Sequence, residues 1–342
     1  MTGYQDSSRA PLAPAGRGLS ATLVGMLAIV AVTWLLSLVV VGPLAYGIGV
    51  ALTGTGRAAL LLGTACWTLG AGLVLLRGVE ARFARLLFRV RRPDEAELRR
   101  IGPVWRRACR RAGVEPTDYT LRVEDSQLNN AFALGAHFVA VTRRALELPD
   151  ELLEAVLAHE LGHHRDLHPL AATLGWWYLM PFSLLSWLLR QVRTVTGTLS
   201  RAFSSLSGRI GQISGGRPLE GPLGLVGVLM ILGALVVVGL VLLVLLCVLW
   251  LPLWLVTGVS RLLSAALSRA AEYAADRRAT ELGYGPGLIQ VLEIFALDER
   301  RASPRGSLGW RLASHPTCRT RIEAVRRAQA RKNGFTSLRG RI

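Results

Sequence analysis

The segment His159-Glu160-Leu161-Gly162-His163 carries residue types and a spacing that could do chemistry. On an α-helix, positions four apart share one face about 6 Å apart along the axis, so His159 and His163 can offer imidazole nitrogens to one ion. Zinc suits that geometry and those ligands. Glu160, one residue after the first histidine, projects beside the ion, where it can take a proton from activated water rather than bind the metal. This arrangement serves hydrolysis. Two histidines leave the ligand set incomplete, and a carboxylate or another histidine from elsewhere in the chain should close it.

His164 and His168 are further imidazoles nearby. His168 falls one residue short of the third histidine in an H-E-x-x-H-x-x-G-x-x-H pattern, whose glycine is also missing, so both read as solvated or ligand-supporting histidines. Far along the chain, Arg269-Ala270-Ala271-Glu272-Tyr273-Ala274-Ala275-Asp276 places Glu272 and Asp276 four apart on a predicted helix. One can bind zinc while the other hydrogen-bonds the ligand shell. By itself such a pair is usually a solvated helix face; beside a zinc motif it becomes a candidate.

The elements that must position these groups are very apolar. Of 342 residues, 51% are hydrophobic and the mean hydropathy is +0.38, too high for a typical water-soluble enzyme. The formal charge is +17, from 40 basic against 23 acidic residues, and Lys332 is the only lysine. The arginine preference reads as the coding bias of a GC-rich, bacterial genome, and no nucleic-acid partner follows from it. Arginines flanking an apolar run hold that flank on the cytoplasmic side and attract anionic headgroups. Cys66, Cys109, Cys247 and Cys318 are too scattered for a disulfide framework or a Cys-x-x-Cys metal site.

Along the chain, residues 1–18 read as a disordered tail and 19–76 as an N-terminal transmembrane hairpin, with uncharged runs Leu19–Val41 and Ala58–Leu76. Arg77, Arg82, Arg85, Arg89, Arg91 and Arg92 follow and place the next domain in the cytoplasm. Residues 77–169 form its first part: an amphipathic basic helix near Glu95–Ala112, a strand at Tyr119–Val123, and a hairpin of Asn130–Leu134 with His137–Thr142 around a two-residue turn, Gly135-Ala136. A small antiparallel sheet is expected. Pro149-Asp150-Glu151 starts the motif helix. Residues 170–256 read as a second membrane hairpin, with runs Leu170–Leu189 and Leu223–Val256 joined by a Gly/Ser-rich linker, 190–221, that carries five arginines. An ordinary third span would put those arginines outside, whereas a dipping hairpin would not. Residues 257–342 complete the domain, helical from Ser260 to about Leu297 and closing in a basic tail, Arg319–Arg341.

These segments together resemble the HtpX-like membrane zinc metalloproteases, the peptidase family that also holds the CAAX prenyl proteases. The resemblance rests on Asn129-Asn130-Ala131-Phe132-Ala133-Leu134-Gly135, on Ala155-Val156-Leu157-Ala158 leading into the motif helix, on Glu272-Tyr273-Ala274-Ala275-Asp276, and on Ser314-His315-Pro316 with Arg321-Ile322. It covers about residues 95–330. It implies a mainly helical, multi-span membrane protein with a gluzincin-type α+β peptidase domain and one zinc ion per chain. The implied ligands are His159, His163 and Glu272, with Glu160 as catalytic base and Asp276 behind the ligands.

The resemblance also implies that Asn130 and Ala131 lie on an edge strand that pairs with an extended substrate, since strand addition supplies main-chain hydrogen bonds without demanding a sequence. His315, with Arg321, could supply a cationic donor to a tetrahedral oxyanion, although a His-Pro at a helix start also serves plain structure. The expected activity is endoproteolysis of unfolded or membrane proteins at the cell membrane, in quality control. A CAAX-type processing peptidase and a non-catalytic zinc-containing membrane sensor or scaffold are the alternatives.

Overall fold

The computed structural model describes residues 21–213, 255, 258–260, 262–301 and 315–339. The expected disordered tail at 1–18, linker residues 214–221 and the run Leu223–Val256, apart from Leu255, lie outside the described residues. The chain divides into two compact units, residues 1–178 with 262–342, and residues 179–261. The candidate site lies wholly in the first.

Two helices open the described chain, α1 (Ala21–Thr53) and α2 (Arg57–Val74). Helix α1 runs past the expected end at Val41, takes in Pro43, and stops at Gly54, whose φ of +75° suits glycine at a helix terminus. Their packing is turned inside out. Trp34 Nε1 donates to Thr68 Oγ1 (3.0 Å) and Trp67 Nε1 to Ser37 Oγ (2.9 Å) between the helices, while leucines and valines face outward. A Cβ on Gly63 would fall 2.5 Å from Ala45 Cβ, so glycine there permits the close approach. Among the described residues, α1 and α2 are the helices long and apolar enough to cross a membrane.

Helix α3 (Arg77–Phe88) leads into a short strand β1 (Val90–Arg91) and helix α4 (Glu95–Ala112). A capping box starts α4: the Asp94 side chain accepts from Glu97 N, and the Glu97 side chain accepts from Asp94 N. Ile101, Val104, Ala108 and Cys109, at helical spacing, bury its inner face.

The sheet is completed by β2 (Thr120–Glu124), β3 (Ala131–Leu134) and β4 (Phe138–Thr142), in the order β1-β2-β4-β3. It is mixed, which corrects the antiparallel expectation: β4 pairs parallel with β2, while β1–β2 and β3–β4 are antiparallel. The cause is visible in β4. All five of its residues are buried, so this apolar strand takes an interior position covered on both faces. Val139 and Val141 join the core under α4, and Phe138 and Ala140 pack with Ala84 of α3. The turn between β3 and β4 spans Gly135-Ala136-His137, one residue longer than expected, with Gly135 at φ +57°.

Helix α5 (Asp150–Arg165) carries the motif, and α6 (His168–Ile213) follows it. Trp176, Trp177, Tyr178 and Pro181 dilute the apolar run 170–189, which is not among the candidate spans. The expected Gly/Ser linker is helical as far as Ile213.

In the last part, helix α7 covers residues 262–281 and breaks at Gly283 (φ +96°) before α8 (Gly285–Arg301). The expected single helix to Leu297 is therefore two. The expected basic tail is helix α9 (Cys318–Arg339), whose Cys318 and Val325 pack with Tyr284, Leu288 and Leu292.

Candidate metal centre

Helices α5 and α7 meet through small residues. A Cβ on Gly162 would stand 3.2 Å from Ala275 Cα and 3.3 Å from its carbonyl oxygen, so glycine lets the two backbones approach. Ala155, Ala158 and Ala279 are fully buried in the same packing. Beyond the contact, Arg278 Nε donates to Asp166 Oδ2 (2.9 Å) and fixes the end of α5 to α7. On its other flank α5 is tied to the sheet, with His164 Nε2 2.9 Å from the Phe138 carbonyl oxygen, and to α4 by Arg107 Nε donating to Glu154 Oε2 (2.9 Å).

This crossing brings the two distant motifs together. His159 Nε2 is 3.2 Å from His163 Nε2 and 3.4 Å from Glu272 Oε2, and His163 Nε2 is 3.3 Å from Glu272 Oε1. Ligand atoms at zinc distances of about 2.0–2.1 Å and tetrahedral angles stand about 3.3 Å apart, so these three residues could hold zinc. Glu272 Oε2 supports that fit: it is buried and accepts no properly aligned hydrogen bond, although Arg321 Nη1 lies 2.9 Å away.

Charge completes the picture. Asp276 Oδ1 is 2.9 Å from His159 Nδ1, which leaves Nε2 of that ring facing Glu272. Arg321 Nε and Nη2 donate to the two oxygens of Asp276 at 2.9 and 2.7 Å. Burial works against ionised carboxylates here, but Arg321, His315 and His163 hold Glu272 well below its usual range, and Arg321 and His159 lower Asp276. Burial and the charge of Arg321 press His159 toward neutrality, yet Asp276 and Glu272 prevail and lift it to about 10. In the metal-free site the charges of His159 and Arg321 therefore balance the two carboxylates; with His159 neutral, as a metal ligand must be, one negative charge is left for a bound cation to offset.

Glu160 is 6% exposed, beside this triangle on α5, and among the described residues no hydrogen bond or ion pair occupies its carboxylate. His315, with 43% of its side chain exposed, places Nδ1 2.7 Å from Glu272 Oε1. Arg321 differs from its expectation. It is buried and engaged with both carboxylates, so it acts as their counter-ion and is not free to meet an oxyanion. The solvated reading of His164 and His168 is also corrected: both are buried, and burial pushes each down to about 4.

Strand β3 ends the sheet on its outer side among the described strands and lies beside α5. Ala131 pairs with Val141, and the backbone of Asn130 is held by Thr142: Asn130 N donates to Thr142 Oγ1 (3.0 Å) and Thr142 N to Asn130 O (2.9 Å). Asn129 Nδ2 donates to Asp298 Oδ2 (2.9 Å), which anchors the start of the strand to α8. Sequence reasoning missed the roles of Gly162 and Asp298. For the glycine a signal existed, in small residues at positions 155, 158 and 162 facing others at 271, 275 and 279.

The model for Peptidase family M48 matches residues 95–329. A protease HtpX homolog of Aeropyrum pernix is 35% identical over 124 residues, 34% of this chain and 36% of the relative, so the chain spans about a third of that curated relative's length. The crystal structure of S. mikatae Ste24p is similar at a TM-score of 0.42 and 18% identity, over 90% of this chain and 66% of that one. With the family model matching well over half of its length, this chain belongs to peptidase family M48.

Proposed function

We propose that the chain is a zinc metalloendopeptidase embedded in the cell membrane, with His159, His163 and Glu272 as metal ligands and Glu160 as general base. The observation that carries this reading is the triangle of two imidazole nitrogens and a carboxylate at 3.2–3.4 Å, formed by residues more than a hundred positions apart. When bound, zinc supplies Lewis acidity, which makes water a usable nucleophile near neutral pH and polarises a carbonyl.

The chain's own residues do the rest. Asp276 accepts from His159 Nδ1 and so keeps Nε2 of that ring free to ligate. Arg321 holds Asp276 and Glu272 ionised and in place. Glu160 takes the proton of the attacking water as the new C–O bond forms, and returns it to the amide nitrogen as the C–N bond breaks. Strand β3, with Asn130 and Ala131, aligns an extended polypeptide beside α5 through main-chain hydrogen bonds. His315, partly exposed at the edge of the triangle, is the candidate donor to the developing oxyanion.

Helices α1 and α2 cross the bilayer, and the arginines at 77–92 keep the peptidase domain on the cytoplasmic side. Unfolded or damaged membrane proteins are the proposed substrates, in keeping with main-chain recognition that is indifferent to sequence.

Zinc content and cleavage of an unfolded protein, measured together, test this. Wild type should hold one zinc per chain and cleave; Glu160→Ala should hold zinc and not cleave; Glu272→Ala should lose both. Full cleavage by Glu160→Ala would reject the base assignment, and a wild type that binds zinc without cleaving would favour a non-catalytic sensor.

A further inference from the structure

Several arginines that follow α2 line one cavity at the surface. Arg85, Arg89, Arg91, Arg92 and Arg122, with Val90, line one open cavity of about 630 Å³ where the end of α3 meets β1 and β2. No acidic side chain is among its walls. Arg91 is already neutralised, with Nη1 donating to Glu97 Oε2 (2.6 Å) and Nη2 to Asp125 Oδ1 (2.8 Å). No ion pair engages Arg85, Arg89, Arg92 or Arg122 among the described residues. The Arg122 guanidinium donates to the Leu121 carbonyl oxygen (2.9 Å), and burial, with Arg92 and Arg85 nearby, pushes it below the usual arginine range. Arg89 closes α3 at φ 52°, a left-handed conformation that non-glycine residues seldom adopt, and side chains from both sides of this turn reach the same cavity. A set of guanidiniums held together against mutual repulsion is the electrostatic complement of a phosphate ester.

The surroundings point to a lipid as the source of that phosphate. Leu86 and Leu87, at the arginine end of α3, are 80% and 53% exposed. Phe83, one turn earlier, packs edge-on against Trp176 of α6 with ring centroids 4.9 Å apart, and Trp176 lies inside the apolar run 170–189. Aromatic rings, arginines and exposed leucines at one level are the composition of a membrane interface. We propose that this cavity binds the headgroup phosphate of an anionic phospholipid, with Arg85, Arg92 and Arg122 contacting its oxygens and Leu86 and Leu87 entering the acyl boundary. The inference rests on the membrane reading above and is independent of the metal centre.

Full-length protein in zwitterionic detergent, delipidated and titrated with phosphatidylglycerol or phosphatidylcholine, provides the test, with bound lipid counted by native mass spectrometry. Wild type should prefer phosphatidylglycerol. At about five-fold per arginine, Arg85→Gln/Arg92→Gln should weaken that binding roughly thirty-fold. The double variant Arg106→Gln/Arg110→Gln removes the same charge from exposed positions on α4 and should keep the preference. Arg122→Gln is a second probe within the cavity; the exposed pair Arg85 and Arg92 keeps the test decisive if that variant folds poorly.

Equal losses in the α4 control, or no preference in wild type, would overturn the inference. Complete displacement of the lipid by millimolar inorganic phosphate would also overturn it, by making a soluble phosphate the ligand. A chain that partitions into phosphatidylcholine vesicles without preferring the anionic lipid defeats this inference alone. One that stays soluble without detergent and binds neither lipid defeats the membrane reading as well.

Discussion

In the α1–α2 hairpin, Val39, Leu61 and Leu69 are 69%, 70% and 73% exposed while Thr33 and Ser37 are buried; in the α5–α7 centre, Leu153 and Leu157 are buried and so are Glu272, Asp276 and Arg321. The hairpin puts its apolar atoms outside and joins its helices through indole–hydroxyl hydrogen bonds and glycine contacts. That is how helices associate when their solvent is hydrocarbon and burying leucine gains nothing. The centre follows the rules of a water-soluble core, in which apolar burial dominates and charges enter only as hydrogen-bonded partners. Both regions use glycine to bring backbones close, Gly63 against Ala45 and Gly162 against Ala275. On the proposed membrane reading the same device serves two solvents, while the forces that hold the helices afterwards differ.

The largest test of this contrast is at Arg321. Arg321→Met leaves two buried carboxylates without their counter-ion and should destabilise the metal-free protein by about 3–5 kcal/mol, read from chemical unfolding in the presence of a chelator. Zinc should restore part of the loss, and an unchanged unfolding midpoint would show that the centre is not held by charge. Gly162→Val should cost about 1–3 kcal/mol and lower zinc retention, because α5 must move away from the Ala275 backbone.

Asp276→Asn is milder. It should keep the fold and weaken zinc binding about 10–100-fold, measured by competition with a chromogenic chelator. Smallest of all, Trp34→Phe removes the hydrogen bond to Thr68 from the hairpin and should cost about 0.6 kcal/mol in lipid micelles, in contrast to the centre. A loss as large as that of Arg321→Met would mean that the hairpin obeys the rules of an aqueous core.

The sequence by itself determined the local features. The i, i+4 spacing of His159 and His163, the basic helix Glu95–Ala112 and the uncharged runs of α1 and α2 are matters of neighbouring residues and period, and each was legible. Glu272 and Asp276 were legible as a pair. The division of labour between them rested on family resemblance, because spacing alone treats both carboxylates alike.

Only the tertiary structure decided what depends on residues far apart. It put β4 between β3 and β2, which made the sheet mixed, because Phe138–Thr142, buried along its whole length, pairs parallel with β2 as well as antiparallel with its sequence neighbour β3. It turned Arg321 from a candidate for the substrate into the counter-ion of Glu272 and Asp276, and it made Gly162 the point where α5 and α7 touch. Period and propensity act over a few residues, whereas burial and charge pairing act between whichever surfaces the packed chain brings together.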